Sequence, residues 1–492
     1  MNSGELLILM ALAIPLFVAA AVYAVGRMPD VRETLTMVAC IALIVIAISM
    51  AMRVGQGDPP VWIAARPLEG VELAFRLEPL GALFALMASA LWGVNSLFSI
   101  GYMRGRREAN QTRFYVCFAL AMFGAMGVAM AGNLFTLFVF YEVLTFSTYP
   151  LVTHKGDEAA RRAGRIYLAI LVGCSVTLLL PGIIGVHVIA GSTDFIPGGQ
   201  LAGKIAPGLA GVLLALLVFG TAKAALMPVH SWLPAAMVAP APVSALLHAV
   251  AVVKAGVFTL LKVSAYIFGP VLISEMAVAQ YLLWIAAATI VIASLVAMRK
   301  DDLKARLAWS TIGQLAYITS AALLPASAGL VAGGLHLLTH AVGKITLFMC
   351  VGAIYVASGA TKVSEMRGLG RRMPIVFGCF LVAALSVTGL PPFAGMWSKF
   401  LLLTASFGSD EWITAAAMIV SSLLSLFYLA PVAIRGLLPP AKDAPPAEFI
   451  RPGGAPGLAV APVVITALAC LVLFFLADEV TAFLIPVAGG AP

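Results

Sequence analysis

The chain has 492 residues, 62% of them hydrophobic and only 11% charged, with a formal net charge of +8. A soluble globular protein carries about 25% charged residues, and a soluble chain of this length splits into domains that each need a polar surface. Both are excluded, because nearly every window of about 20 residues is apolar enough to cross a hydrocarbon core roughly 30 Å thick.

The short alternating segments of a membrane β-barrel do not recur, so the expected fold is an all-α polytopic membrane protein. In chain order, polar and Pro/Gly breaks delimit about fourteen transmembrane helices, at residues 4–26, 34–54, 78–101, 114–131, 134–152, 164–190, 207–238, 241–265, 274–298, 305–323, 328–357, 374–406, 411–437 and 457–486. The first opens on Glu5 without a basic residue, unlike a secretory signal, and is expected to stay as a span. The seventh is broken near Pro228 and Pro234, the twelfth at Pro391 and Pro392. The longest stretches between spans, about 55–77, 191–206 and 438–456, hold no large soluble domain. The six cysteines lie in apolar stretches without a CxxC pair, which argues against a cluster, a metal or a disulfide framework. Neither a phosphate-binding loop nor a dinucleotide fingerprint is present. No cofactor is expected, and the chain is read as an ion-translocating subunit rather than an enzyme, driven by ion gradients or by a partner's redox chemistry.

Of the 30 Lys and Arg, 21 fall in loops after odd-numbered spans, from Arg27 and Arg32 to Arg435, Lys442 and Arg451; five follow even-numbered spans, namely Arg53, Arg66, Arg76, Lys204 and Lys262. Cytoplasmic loops carry the basic excess, so both termini are expected outside the cytoplasmic (inner) membrane. The net charge then reflects those loops and not a nucleic-acid partner.

Four lysines remain inside spans: Lys223, Lys254, Lys344 and Lys399. One acid does, Glu142. Each such charge costs roughly 2.5–3.5 kcal/mol at a span centre, a total comparable to or above the net stability of a domain. These groups must face the interior, pair, or exchange protons. Glu142 has no cation three or four residues away on its own helix, so its partner is expected from another span, with Lys223 the candidate. A static ion pair would explain those two but not three surplus lysines. Buried, mutually repelling lysines are suited to passing a proton on.

His336, His340 and Lys344 recur every four residues and share a helix face. Two imidazoles, ordinarily titrating near pH 6.5, leading to a lysine suit a proton relay. The same H-x-x-x-H spacing fits two zinc ligands, but no nearby Cys, Asp or Glu completes such a site. His248 and Lys254 are six apart and lie on different faces, and His230 sits in the Pro-broken stretch. Broken helices are tolerated only beside protein or a water-lined cavity, and a pair of them points to an inverted repeat.

The segments "VFYEVLTFSTYPLVTHKG", "KAALMPVHSWLPAAMVAPAPVSALLHAVAVVKAG", "LKARLAWSTIGQLAYI", "LLTHAVGKITLF" and "GLPPFAGMWSKF" resemble the antiporter-like proton-channel family. Its members include Mrp-type sodium/proton antiporter subunits, antiporter-like subunits of respiratory complex I and subunits of group 4 hydrogenases. The resemblance spans roughly residues 75–435. It implies two inverted five-helix repeats with broken helices 7 and 12, and hence N-terminal helices over 1–110, a first repeat over 111–266, a second over 267–437, and a last loop and helix over 438–492. It also implies that Glu142, Lys223, Lys254, Lys344 and Lys399 translocate protons, with His230, His248, His336 and His340 in support. Lys399 in place of the glutamate usual in one of the complex I subunits, and a chain ending soon after its last helix, look most like the D-type member of an Mrp antiporter. Partners would be other membrane subunits, with protons and sodium as the ions moved. A redox-driven proton pump component and a passive packing component are the alternatives.

Overall fold

A computed structural model describes residues 2–68, 70–439 and 455–489; Lys442, Arg451 and most of the expected 438–456 stretch lie outside the described residues. The helices are α1 (Ser3–Ala24), α2 (Pro29–Gly55), α3 (Pro79–Arg106), α4 (Gln111–Met130), α5 (Leu134–Val152), α6 (Glu158–Ala190), α7 (Pro207–Gly220), α8 (Ala241–Glu275), α9 (Ala277–Arg299), α10 (Leu303–Leu323), α11 (Ser327–Ser358), α12a (Pro374–Thr388), α12b (Gly395–Gly408), α13 (Trp412–Leu437), α14 (Gly457–Phe475) and the short α15 (Ala477–Leu484). Eleven described helices are long and apolar enough to cross a membrane, and α7 and α12a are shorter apolar pieces. Helix α10 is long enough but more polar, through Ser310, Thr311, Gln314, Tyr317, Thr319 and Ser320. All six are buried, so α10 needs no lipid-facing surface.

Helices α8 and α11 form the centre and are almost wholly enclosed, whereas α1, α2, α6 and α14 leave most of their surface at the periphery. Periphery and core are both apolar, as expected where the surrounding solvent is hydrocarbon. Two features depart from the expected all-α chain. Residues 61–76 form an antiparallel hairpin, β1 (Val61–Leu68) and β2 (Val71–Arg76), with Trp62 stacked on Phe75 at 5.5 Å. The last expected span, 457–486, ends at Phe475; Asp478 and Glu479 then start α15 at the rim of the bundle.

The two ends of the bundle differ. Ser3 accepts a hydrogen bond from Arg53 at the end of α2, and Pro486 shares a pocket with Val54, so both described termini lie on one face. On the opposite face, loops after odd-numbered helices bond to one another. Arg104 of α3 bridges Asp30 and Glu33 of α2, Arg113 of α4 donates to the His154 carbonyl, and Lys304 of α10 donates to the Ala239 carbonyl. Arg367 and Arg371 donate to the carbonyls of Pro439 and Leu437. Two assignments to loops are corrected here. Arg32 and Glu33 are buried in the first turn of α2, paired at 3.0 Å. Lys262 is completely buried inside α8.

Helix α7 stops earlier than Pro228 implies. It ends at Gly220, and residues 221–240 run as short turns with Ala225 in the left-handed region at φ 53°. The freed backbone groups find partners: Trp232 Nε1 donates to the Ala222 carbonyl, and Tyr141 Oη accepts from the Lys223 amide. Gly256 of α8 explains how this stretch reaches the core, because a Cβ there would lie 2.3 Å from the Ala224 nitrogen. The second break, between α12a and α12b, turns at Gly389, φ 96°, and is tied to α14 by the Ala394 amide donating to the Cys470 carbonyl.

Candidate functional site

The four in-span lysines are buried, and each is held differently. Lys223 lies in the break itself, two residues past Thr221, and not in a helix ahead of it as the apolar run before Pro228 suggests. Its Nζ donates to the Tyr141 carbonyl (2.8 Å) and to Thr145 Oγ1 (2.6 Å), and stands 3.1 Å from the Tyr141 ring centre. Glu142 is the next residue after Tyr141, turned about 100° around α5. Its two carboxylate oxygens are shielded and receive no hydrogen bond. The expected Glu142–Lys223 contact is therefore absent. The Tyr141 carbonyl and Thr145 hydroxyl have taken the ammonium, and Glu142 acts on it only through space.

Lys254 Nζ lies 2.5 Å from His340 Nδ1, joining α8 to α11. His340 stacks on His336 at 5.8 Å with ring planes 15° apart, one helical turn away as the spacing requires. His336 Nδ1 is 2.9 Å from Ser398 Oγ of α12b, and its Nε2 is 3.1 Å from Gln314 Oε1 of α10. The other face of that imidazole lies on Tyr317, 5.5 Å away. Lys399 Nζ approaches the same Tyr317 ring at 5.0 Å and donates to the Thr388 carbonyl (3.0 Å) and Ser422 Oγ (2.9 Å). A row of buried groups thus runs Lys254, His340, His336, Tyr317, Lys399 through an apolar core, hydrogen-bonded between Lys254 and His340 and joined by ring contacts beyond, with His340 Nε2 unpartnered. Lys344 forms a branch, donating to Ser310 Oγ at 2.6 Å, which also accepts from Tyr428 Oη at 2.9 Å.

Two histidines do not join the row. His248 is buried against Phe348 with neither ring nitrogen partnered, inside a π-helical turn of α8, Leu246–Val250. Such turns recur at functional sites. His230 lies half-buried in the first break, beside Trp309 and the Pro228 carbonyl. The hydroxyls that hold the lysines are not among the residues singled out from sequence. A signal exists for one of them: Ser310 repeats with Gln314 and Tyr317 at helical spacing on one face of α10, whereas Thr145 and Ser422 stand in no such stripe.

With this geometry in place, likeness to known proteins carries weight. Residues 131–425 match the family described as NADH:quinone oxidoreductase/Mrp antiporter, TM. The chain belongs to this antiporter-like proton-channel family. Among relatives of this family, NADH-quinone oxidoreductase subunit N of Desulforudis audaxviator is 34% identical over 84% of this chain and 83% of its own length. The Na(+)/H(+) antiporter subunit A1 of Staphylococcus aureus is 31% identical over 74% of this chain, which spans 46% of that longer protein. In fold, the chain matches one from the Mrp complex of Dietzia sp. DQ12-45-1b, with a TM-score of 0.87 at 23% identity, covering 99% of this chain and 97% of that one. It also matches one from an archaeal membrane-bound sulfane sulfur reductase, with a TM-score of 0.85 at 25% identity and the same coverage.

Proposed function

We propose that this chain is the proton-translocating subunit of a multi-subunit cation/proton antiporter of the Mrp type, in the manner of its D-type member. The observation that carries this reading is the row of buried groups from Lys254 through His340, His336 and Tyr317 to Lys399, hydrogen-bonded at its start and in ring contact beyond. A proton can pass across 2.5 Å between Lys254 and His340, and its release from the unpartnered Nε2 toward His336 requires water or a turn of the ring. Lys223 and Glu142 act as the switch at the first break. Rotation of either side chain past Tyr141 would bring the two charges together, and a closed pair stabilises positive charge on Lys223 and withdraws it from its neighbours.

In this reading the helices make fourteen spans, with repeats at α4–α8 and α9–α13, each holding one broken helix and one buried lysine beside it. The face with the basic loops is cytoplasmic, both termini are outside, and the membrane is the inner one. Other membrane subunits complete the assembly. A second reading, a proton-pumping subunit of a complex I-like or hydrogenase-type redox complex, is favoured by the similarity in length and sequence to the quinone oxidoreductase relative.

The test is to purify the assembly through a tag on this chain, identify its subunits and reconstitute it in vesicles. Proton movement driven by a sodium gradient, without any electron donor, is the expected result. Proton movement only during electron transfer would establish the second reading in its place.

A further inference from the structure

A pocket of about 310 Å³ opens on the face that carries both termini, between the end of α2, the start of α3, the end of α4 and the segment 195–197. Beneath it lies an ion pair that the row above does not use. Lys262 Nζ, wholly buried, stands 2.9 Å from Glu78 Oε1 and donates to the Ala131 carbonyl at 2.7 Å. Glu78 lines the pocket, and its side chain keeps 16% of its surface open.

Three observations suggest more than a static clamp. First, the pair is closed on one side only: Glu78 meets Lys262 through Oε1, makes no side-chain cap to the start of α3, and lines the pocket with part of its side chain open. Second, Lys262 is aligned with the row. Lys254, Phe258 and Lys262 recur every four residues on a regular stretch of α8, so they share a face with the two lysines about 12 Å apart along the axis. Phe258 stands between them. It is fully buried, its ring packed on Phe84 of α3 at 4.7 Å and 5.4 Å from Lys262 Nζ. Third, the helix changes to a π turn, Val263–Phe268, immediately after Lys262. The other ionisable groups at the pocket are Arg76 from the end of β2 and Tyr266 from α8, while Arg53 and Asp58 nearby are paired with each other.

We propose that Glu78 and Lys262 form a proton port on the terminal face, separated from the central row by Phe258, which acts as an apolar gate on α8. A proton reaching Lys254 passes to Lys262 when the Phe258 ring swings aside, and leaves through the Glu78 carboxylate into the pocket; uptake runs the same steps in reverse. This rests on the proton-translocating reading above and on the termini lying outside.

The experiment uses the whole assembly in vesicles, with the pH on each side set independently. Glu78→Gln should shift the dependence of transport on outside pH by at least about one unit and leave the dependence on inside pH unchanged. Phe258→Ala should raise proton leak several-fold. Wild-type outside-pH dependence in Glu78→Gln, with normal leak in Phe258→Ala, would show that the pair is only a staple. Glu142→Gln is the control: if it too transports normally, the proton-translocating reading has failed and not merely the port. Should the variants not enter the assembly, the wild-type complex is treated from outside with a water-soluble carbodiimide and an amine. Transport loss that tracks modification of Glu78, and not of Asp58 or Glu72, supports the port. Modification without loss, or no modification at all, overturns it.

Discussion

The two broken helices place their lysines in opposite electrostatic settings. At the first break, Lys223 sits on backbone with an unpartnered carboxylate, Glu142, one residue beyond the carbonyl that holds it. At the second, Lys399 sits four residues into α12b, held by a carbonyl and a serine with no carboxylate among its contacts. The first half can neutralise its charge by closing an ion pair; the second answers a charge only with dipoles or by handing on a proton. In the proposed reading this difference assigns the halves different tasks, switching in the first and carrying in the second, although both are built around a broken helix.

The largest expected effect that probes this division comes from Lys254→Met, at the junction of the halves. It removes the group 2.5 Å from His340 and should lower transport by roughly 100-fold, the scale of a lost general acid–base group. Transport above a tenth of wild type would mean that the halves communicate by another route. Next is His336→Phe, which keeps the ring stack on Tyr317 and His340 but removes both nitrogens. About a tenfold loss of proton flux is expected, with assembly unchanged, and a silent variant would reduce His336 to packing. A smaller effect is expected for Ser310→Ala, which takes one neutral hydrogen bond from both Lys344 and Tyr428. A bond worth about 1 kcal/mol should slow flux by roughly fivefold.

The smallest effect lies outside the spans. Asp301 accepts from the Ser364 amide (3.0 Å) and hydroxyl (2.8 Å), and the hydroxyl foremost holds its carboxyl below the usual value of 3.8. A carboxyl lowered in the folded state stabilises it above the unfolded value, and that contribution is lost as the pH falls through the folded value. Ser364→Ala should therefore cost a little thermal stability at neutral pH, and progressively less as the pH falls below 3.8 through the folded value. The cost is small because Asp301 is exposed.

Much of this is legible in the sequence, for reasons that can be named. Long apolar runs fix where spans lie, because hydrocarbon leaves backbone no alternative to helix. The four-residue spacing of His336, His340 and Lys344 dictates a common face, and the stacked imidazoles follow from it. What a sequence does not supply is how far apart groups on different helices come to rest. Charge alone matches Glu142 with Lys223, yet a backbone carbonyl and a threonine hold the lysine. Lys262 reads as a helix end, because its counter-charge, Glu78, is 184 residues away and only the fold brings α3 to α8. The hairpin at 61–76 is hard to see, although alternation about Gly70 marks it; beside two long apolar spans such a signal is weak.

The central claim is that the buried charges carry protons and do not merely pack helices, and it is tested most directly at the first break. Glu142→Gln and Lys223→Met, each purified in the intact assembly and reconstituted in vesicles, should show proton transport reduced by at least about 100-fold, with subunit composition unchanged. Wild-type transport in both would contradict the account.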